Sequence, residues 1–257
     1  MHHQANTDNI SIVLSKPKYS GNVGSVARCA KNMGIGRILV VNGKNLVSED
    51  MLQMSTHCAA DVIAQIRHFD NLGKALAGFR YIVGTTSRLG SARGPVVSPR
   101  EMAEQLVDIS QNNKIALLFG SEDKGLANEE LRYCHAIVNI PTSADFKSIN
   151  LSHAVMILCY EIFAARRDAL PSFTPKMATS RELEGMYAHL KDVLTRIGFL
   201  NPENPEYWMM HIRRFLSRTK LFSRDVKIIR GICRQMDWSL GHHAIRGGQD
   251  QANHREF

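Results

Sequence analysis

Five short apolar runs, separated by stretches of helical character, constrain this chain more than any other feature. They are ISIVL at 10–14, RILVVN at 37–42, YIVGTT at 81–86, KIALLFG at 114–120 and AIVNIP at 136–141. Near-continuous Val, Ile and Leu over such lengths suits strands buried on both faces of a parallel sheet. Between them Val23, Val26, Ala27, Ala30 and Met33 recur at helical spacing, and 71–78 and 98–109 also read as helices. The alternation predicts an α/β fold with helices on both sides of the sheet. A further helix over about 149–167 is apolar almost all round, through Leu151, Ala154, Val155, Ile157, Leu158 and Ile162. It is expected inside the domain or in a contact with a second copy, and Arg166 and Arg167 suit its C-terminal end.

The pattern then changes. Residues 168–180, DALPSFTPKMATS, combine two prolines with small polar residues and read as a linker. From 181 to about 240 come three helical patterns and no strand, near 181–198, 204–219 and 223–238, with Gly198 placed to cap the first. The tail from Gly241 is rich in Gly, His and Gln and is expected to fray. The organisation predicted is an α/β domain over 1–170, a linker over 171–180, a small all-helical domain over 181–240 and a flexible tail over 241–257.

The N-terminal MHHQANTDN lacks the apolar core of a signal peptide, and no apolar run approaches the length of a membrane span, so a soluble cytoplasmic protein is expected. Five cysteines, Cys29, Cys58, Cys134, Cys159 and Cys233, show no C-x-x-C spacing. They read as reduced core residues, and no metal site is expected. The formal net charge of +8 favours a polyanionic partner, because Lys and Arg displace counterions from phosphates. There is no P-loop G-x-x-x-x-G-K-[ST] and no H-E-x-x-H. Gly34-Ile35-Gly36 precedes a strand and lacks a third glycine, so it is no dinucleotide fingerprint.

Three constellations sit at strand ends. The first is Ser20-Gly21-Asn22-Val23-Gly24-Ser25-Val26-Ala27-Arg28, after the first strand. Arg28, on the first turns of a helix, opposes the helix dipole and suggests a local anion; the alternative is an ordinary turn with a solvated Arg. The second is Leu118-Phe119-Gly120-Ser121-Glu122-Asp123-Lys124-Gly125-Leu126, a tight polar loop beyond the carboxyl end of a buried strand, where α/β sheets bind ligands. The third is Ile140-Pro141 followed by Lys147-Ser148-Ile149-Asn150-Leu151-Ser152, with Ser148 as a candidate N-cap. A glycine-rich turn and a capped core helix are the plainer readings of these two.

Taken in order, N-x-G-x-x-x-R, F-G-x-E-x-x-G and I-P-x6-S-[IL]-N-L-S-x-A resemble the three motifs of the SpoU-type 2′-O-ribose methyltransferases of the SPOUT superfamily, over about residues 10–170. GMYAHLKDVLTRIGFL, MHIRRFLSRTK and DVKIIRGICRQ extend the resemblance to about 240, matching the C-terminal extension of bacterial members that methylate a pyrimidine ribose in the tRNA anticodon loop. The resemblance implies a SPOUT-type parallel sheet with a C-terminal trefoil knot, a feature that composition does not reveal, plus a small all-helical C-terminal domain. It implies transfer of a methyl group from S-adenosylmethionine to a ribose 2′-hydroxyl in tRNA, in a homodimer whose sites are completed across the interface. The apolar first helix and the helix near 149–167 are candidates for that contact.

For the cofactor the family pattern implies Thr85, Thr86, Ser87, Gly120, Ile140, Lys147, Ser148 and Ile149, with Ile140 and Ile149 flanking the purine. Lys147 stands where relatives often carry a small polar residue, so a phosphate contact is a second role for it. For catalysis it implies Arg28, Asn22, Glu122, Ser148 and Asn150. Arg28 is implied as acceptor of the hydroxyl proton; since a guanidinium stays charged at physiological pH, it is expected instead to grip a phosphate and stabilise the developing alkoxide. Asn22 and Ser148 would orient the sugar or Arg28, and Glu122 would fix its loop, with pairing to Arg28 as one way to do so. Residues 171–245 carry 12 Lys or Arg against 7 Asp or Glu. Arg213, Arg214, Arg218 and Lys220 cluster near one helix end, and Lys227, Arg230 and Arg234 share a face of the last helix opposite Ile229, Ile232, Cys233 and Met236; all seven cations are candidate RNA ligands. Trp208 and Trp238 read as core residues, with base-stacking platforms as the alternative. The competing functions are the same chemistry on ribosomal RNA and a non-catalytic RNA-binding protein.

Overall fold

The computed structural model describes residues 2–87, 96–168 and 176–252. The chain divides into two compact units, Met1–Ser180 and Arg181–Phe257. In chain order the first unit runs β1 (His2–Gln4), β2 (Ile10–Ser15), α1 (Ser20–Asn32), β3 (Ile38–Val41), α2 (Ser48–Ser55), α3 (Ala60–Ala64), β4 (Arg67–Phe69), α4 (Leu72–Leu76), β5 (Tyr81–Thr85), β6 (Val96–Val97), α5 (Pro99–Asn112), β7 (Ile115–Phe119), α6 (Asn128–Leu131), β8 (Ala136–Val138), α7 (Leu151–Ala164) and β9 (Arg166–Asp168).

Among the described residues seven strands form one sheet in the order β4-β3-β2-β7-β5-β8-β6, every pairing parallel. The five apolar runs supply its centre because both faces there are covered. Ile12, Ile82 and Leu117 on three adjacent strands are fully buried, and each such side chain stabilises the fold by about 1.5–3 kcal/mol. The last of the five strands stops at Val138, and Asn139 N–H donates to Val97 at 3.1 Å before the chain leaves through Ile140-Pro141. The edge strand β4 has no apolar signature: Arg67 and His68 are exposed, polar cover that protects an open sheet edge.

Helix α1 buries Val23, Val26, Ala27 and Ala30. A Cβ at Gly24 would lie 2.1 Å from the Met51 carbonyl oxygen, so α2 rests directly on the α1 backbone. The apolar stripe of α1, half-buried Met33 apart, is therefore consumed within its own unit. Helix α7 buries Leu151, Val155, Leu158 and Ile162 and leaves Tyr160 and Phe163 exposed. It is shorter than the predicted 149–167. At Ala165 the backbone turns extended, and Arg166 and Arg167 enter β9, which pairs antiparallel with β1, instead of ending the helix.

The second unit is helical, as expected: α8 (Ser180–Arg196), α9 (Pro205–Ser217) and α10 (Ser223–Ala252). Pro205 opens α9 at a position that needs no N–H donor. Helix α10 continues from the predicted 223–238 to Ala252, through the segment expected to fray. Among its described side chains Val226 and Cys233 are buried, while Ile232 and Met236, expected beside Cys233, are exposed. Of the five free cysteines, Cys159 and Cys233 are buried, Cys29 and Cys134 half-buried, and Cys58 is exposed, contrary to a uniform core role. Among the described residues no helix is long and apolar enough to cross a membrane.

Candidate active site

Strands β7, β5 and β8 are neighbours in the sheet, so the loops that follow them open at the same edge. Together they enclose a cleft of about 680 Å³, within the range of small-molecule sites. Thr85, Thr86 and Ser87 line it after β5, Gly120 and Glu122 after β7, and Ile140, Lys147, Ser148 and Ile149 after β8. All eight residues singled out for the cofactor meet at this one cleft. Phe119, Val138, Leu151 and Ala154 add apolar wall. Thr86 N–H donates to Val138 at 3.0 Å and Asn139 Nδ2 donates to the Thr86 carbonyl at 2.8 Å, tying two of the three loops together.

The loop after β7 is shaped by two glycines. Gly125 adopts a positive φ of 62°, which a side chain would strain. Its N–H donates to Ser121 at 2.8 Å. A Cβ at Gly120 would lie 2.0 Å from the Gly125 carbonyl carbon, so both turns of the loop are closed to larger residues. Lys18 lies 2.7 Å from Asp123. The hydrogen bond from Lys18, then that from Ser121, holds the Asp123 carboxyl at about 2.

Glu122 is half-buried and accepts from Lys18 N–H at 2.9 Å, from Tyr19 N–H at 3.3 Å and from Asn22 Nδ2 at 2.9 Å. Asn22 in turn accepts from Asn150 Nδ2 at 3.0 Å. Asn150 Oδ1 takes the Ser152 N–H at 2.9 Å and the Ser152 hydroxyl at 2.8 Å, capping α7. One polar chain therefore joins all three motif segments. Two expectations are corrected here. The N-cap of α7 is Asn150, not Ser148, which leaves Ser148 exposed on the cleft wall. Glu122 makes no pair with Arg28; its oxygens are used by the chain entering α1.

Arg28 is exposed and has no hydrogen bond or ion pair among the described residues. It is absent from the cleft wall of its own chain. Since α1 begins at Ser20, Arg28 lies in its third turn. The dipole argument fails there, because that effect fades beyond the first turn.

Sequence reasoning missed Glu130. It is 7% exposed and accepts from Ser15 Oγ at 2.6 Å and Ala127 N–H at 2.7 Å, with Lys16 Nζ at 3.2 Å. Burial pushes its carboxyl up, but the Ser15 hydroxyl, the Ala127 N–H and Lys16 outweigh that and hold it below the usual range. It anchors the cleft loop to the end of β2. The only sequence signal was a glutamate three residues after Ala127, the spacing at which a carboxylate reaches back to a helix entry.

In the second unit the seven candidate cations differ. Arg218, Lys220, Lys227, Arg230 and Arg234 are exposed and without ion-pair partners among the described residues. Arg213 is spent internally: it lies 2.6 and 2.8 Å from the two Glu184 oxygens and 4.2 Å over the Tyr187 ring. Arg214 is half-buried with Nη2 enclosed and unpaired. Trp208 and Trp238, expected in the core, are 49% and 57% exposed.

Residues 9–160 match the SpoU rRNA Methylase family, and residues 181–250 match the C-terminal domain of the tRNA methyltransferase TrmJ. The chain is 36% identical over 229 residues to the tRNA (cytidine/uridine-2′-O-)-methyltransferase TrmJ of Sodalis glossinidius, covering 87% of this chain and 89% of that one. It is 34% identical over 238 residues to the tRNA (cytidine/uridine/adenosine-2′-O-)-methyltransferase TrmJ of Pseudomonas aeruginosa, covering 88% and 92%. Among solved structures, TrmJ from Z. mobilis ZM4 superposes with a TM-score of 0.76 at 25% identity, covering 88% of this chain and 98% of that one. A putative methylase family protein from Neisseria gonorrhoeae gives 0.64 at 30% identity, covering 71% and 94%.

Proposed function

The chain belongs to the SpoU rRNA methylase family and carries a TrmJ-type C-terminal domain, and from that premise we propose that it transfers a methyl group from S-adenosylmethionine to a ribose 2′-hydroxyl in tRNA, at a pyrimidine of the anticodon loop. The observation that carries this reading is the Glu122–Asn22–Asn150 chain, which ties the first turn of α1 to the segments after β7 and β8 beside one cleft. The cleft suits the donor: apolar Ile140 and Ile149 fit a purine, while the hydroxyls of Thr85, Thr86 and Ser87 and the backbone at Gly120 fit polar ribose and amino-acid groups. When bound, S-adenosylmethionine supplies an electrophilic methyl group on a sulfonium. The protein's own part is to hold the sugar oxygen in line, and alignment of this kind supplies a large share of an acceleration. Asn22 and Asn150 hold the motif segments together, Ser148 faces the cleft as a sugar ligand, and a charged Arg28 grips the adjacent phosphate and stabilises the alkoxide that forms as the hydroxyl proton passes to water.

Arg28 lies about 9 Å along α1 from Asn22 and outside its own cleft, which supports a homodimer in which each Arg28 serves the partner's cleft. The exposed Tyr160 and Phe163 face of α7 is the candidate contact. The sheet order and family membership support a trefoil knot formed by the chain around the cleft. Residues 1–170 form the methyltransferase domain, 171–180 the linker, 181–240 the RNA-binding domain and 241–257 its tail, in a cytoplasmic enzyme. Exposed Arg218, Lys220, Lys227, Arg230 and Arg234 bind tRNA phosphates.

The test is methylation of bulk tRNA with labelled S-adenosylmethionine, followed by nucleoside mapping. A 2′-O-methylpyrimidine in the anticodon loop is expected. Labelling confined to ribosomal RNA, or none at all, would overturn the reading.

A further inference from the structure

Helix α9 carries a face that neither the cleft nor the cations of α10 account for. From Tyr207, the residues Trp208, His211, Arg214, Phe215 and Arg218 follow at i+1, i+4, i+7, i+8 and i+11. With 3.6 residues per turn all six fall within an arc of about 120°. The far side of the helix holds Met209, which is 2% exposed, and Arg213, held by Glu184. On the near side the rings are open: Tyr207 is 53% exposed, Trp208 49% and Phe215 66%. Tyr207 stands edge-on to Trp208 at 5.9 Å and to His211 at 4.9 Å. The rings pack edge to face, and Tyr207, Trp208 and Phe215 still keep about half or more of their surface open.

Exposed aromatic surface of this extent marks an interaction site. Its surroundings select the occupant. Arg218 and Lys220 extend the same helix end, exposed and without ion-pair partners among the described residues. The carboxylate of α9's first turn, Glu206, is engaged by Lys191. Flat apolar rings beside unneutralised cations complement a polymer of flat bases on an anionic backbone. We propose that this face of α9 is a stacking platform for unpaired RNA bases, with Arg218 and Lys220 on the neighbouring phosphates. The proposal rests on the reading of the second unit as RNA-binding and adds to it a preference for single-stranded loops over paired stems.

The test uses the full chain in a Trp238→Phe background, in which Trp208 is the sole tryptophan. Its emission is followed on titration with tRNA, with a short RNA hairpin bearing an open loop, and with a blunt RNA duplex of equal phosphate count. Quenching by tRNA and hairpin but not by duplex is expected. Trp208→Ala, in the native background, should weaken tRNA binding roughly 5- to 100-fold with an unchanged salt slope, and Trp208→Phe should retain most of the affinity. Equal quenching by duplex, or undiminished affinity in Trp208→Ala, would overturn the platform. So would a fall in sedimenting mass in Trp208→Ala, which would make this face a contact between copies. Failure of the unsubstituted chain to bind tRNA would remove the RNA-binding reading itself; loss of the platform alone leaves that binding intact.

Discussion

The side-chain amide of Asn150 donates to the side-chain oxygen of Asn22 at 3.0 Å, joining segments 128 residues apart. Asn22 is committed on both sides, since its own amide donates to Glu122. Asn22→Asp keeps the shape but sets one carboxylate against another and leaves an acceptor unpaired, at about 1–3 kcal/mol. Single-turnover methylation should slow by roughly 10-fold or more, while cofactor affinity, set by the cleft wall, changes by less than about twofold. A variant that methylates at the native rate would show the bridge to be dispensable.

Arg28 gives a sharper test, because it is exposed and makes no hydrogen bond or ion pair among the described residues, so its loss should not disturb the fold. Arg28→Ala should lower methyl transfer by about 100-fold or more, the scale of removing one charge-stabilising donor. Mixing that inactive chain with Thr86→Arg, which obstructs the cleft, tests sharing between copies. If each site draws Arg28 from one chain and the cleft from the other, random exchange should restore about a quarter of native activity, since half the dimers are mixed and each holds one intact site. No recovery after confirmed exchange would place both functions in one chain.

The legible parts of the sequence were those with a local signature. Ile10–Leu14 and Ile115–Phe119 read as strands because both their faces are covered, and the loops that line the cleft were found through the motif resemblance. What failed depended on distant partners. The first helix was expected from Val23, after a glycine-bearing junction, yet it begins at Ser20, and Gly24 is small because Met51 of another helix presses on it. That shifted Arg28 out of the first turn and undid the argument from the helix dipole. Ser148 resembled an N-cap, but the chain needs two more residues to reach Asn22, so Asn150 takes the role. Arg213 looked like its neighbours on α9 until Glu184, 29 residues away, paired with it. The polar edge strand β4 had no apolar run to betray it.

His135 predicts a pH dependence of stability. Its Nδ1 accepts the Ile82 N–H at 3.1 Å while its own N–H donates to the Ile82 carbonyl at 2.8 Å, so the ring replaces a carbonyl at the edge of the β5–β8 ladder. Burial pushes its pKa down to about 4. Above the unfolded value near 6.5 both states are neutral and nothing is lost. As pH falls through 6.5 the unfolded chain gains a proton that the folded ring refuses, until about pH 4. Urea unfolding should show roughly 2 kcal/mol lost between pH 7 and 4.5, with allowance for the ring's partial exposure. His135→Gln, which retains an acceptor, should flatten that window; an unchanged slope would remove His135 as its cause.

The two cation sets of the second unit should separate in their salt behaviour. Lys227, Arg230 and Arg234 are exposed and without ion-pair partners among the described residues, so each bound phosphate releases counterions. Replacing all three with Ala should weaken tRNA binding and reduce the slope of log affinity against log salt by about 2–3, with the unfolding midpoint little changed. Arg213→Ala should do the reverse. It leaves Glu184 without its two-pronged partner and Tyr187 without its cation, costing roughly 1–3 kcal/mol of stability while the salt slope holds. Calorimetry beside filter binding at several salt concentrations distinguishes them, and a lower slope in Arg213→Ala at native stability would return that residue to the RNA contact.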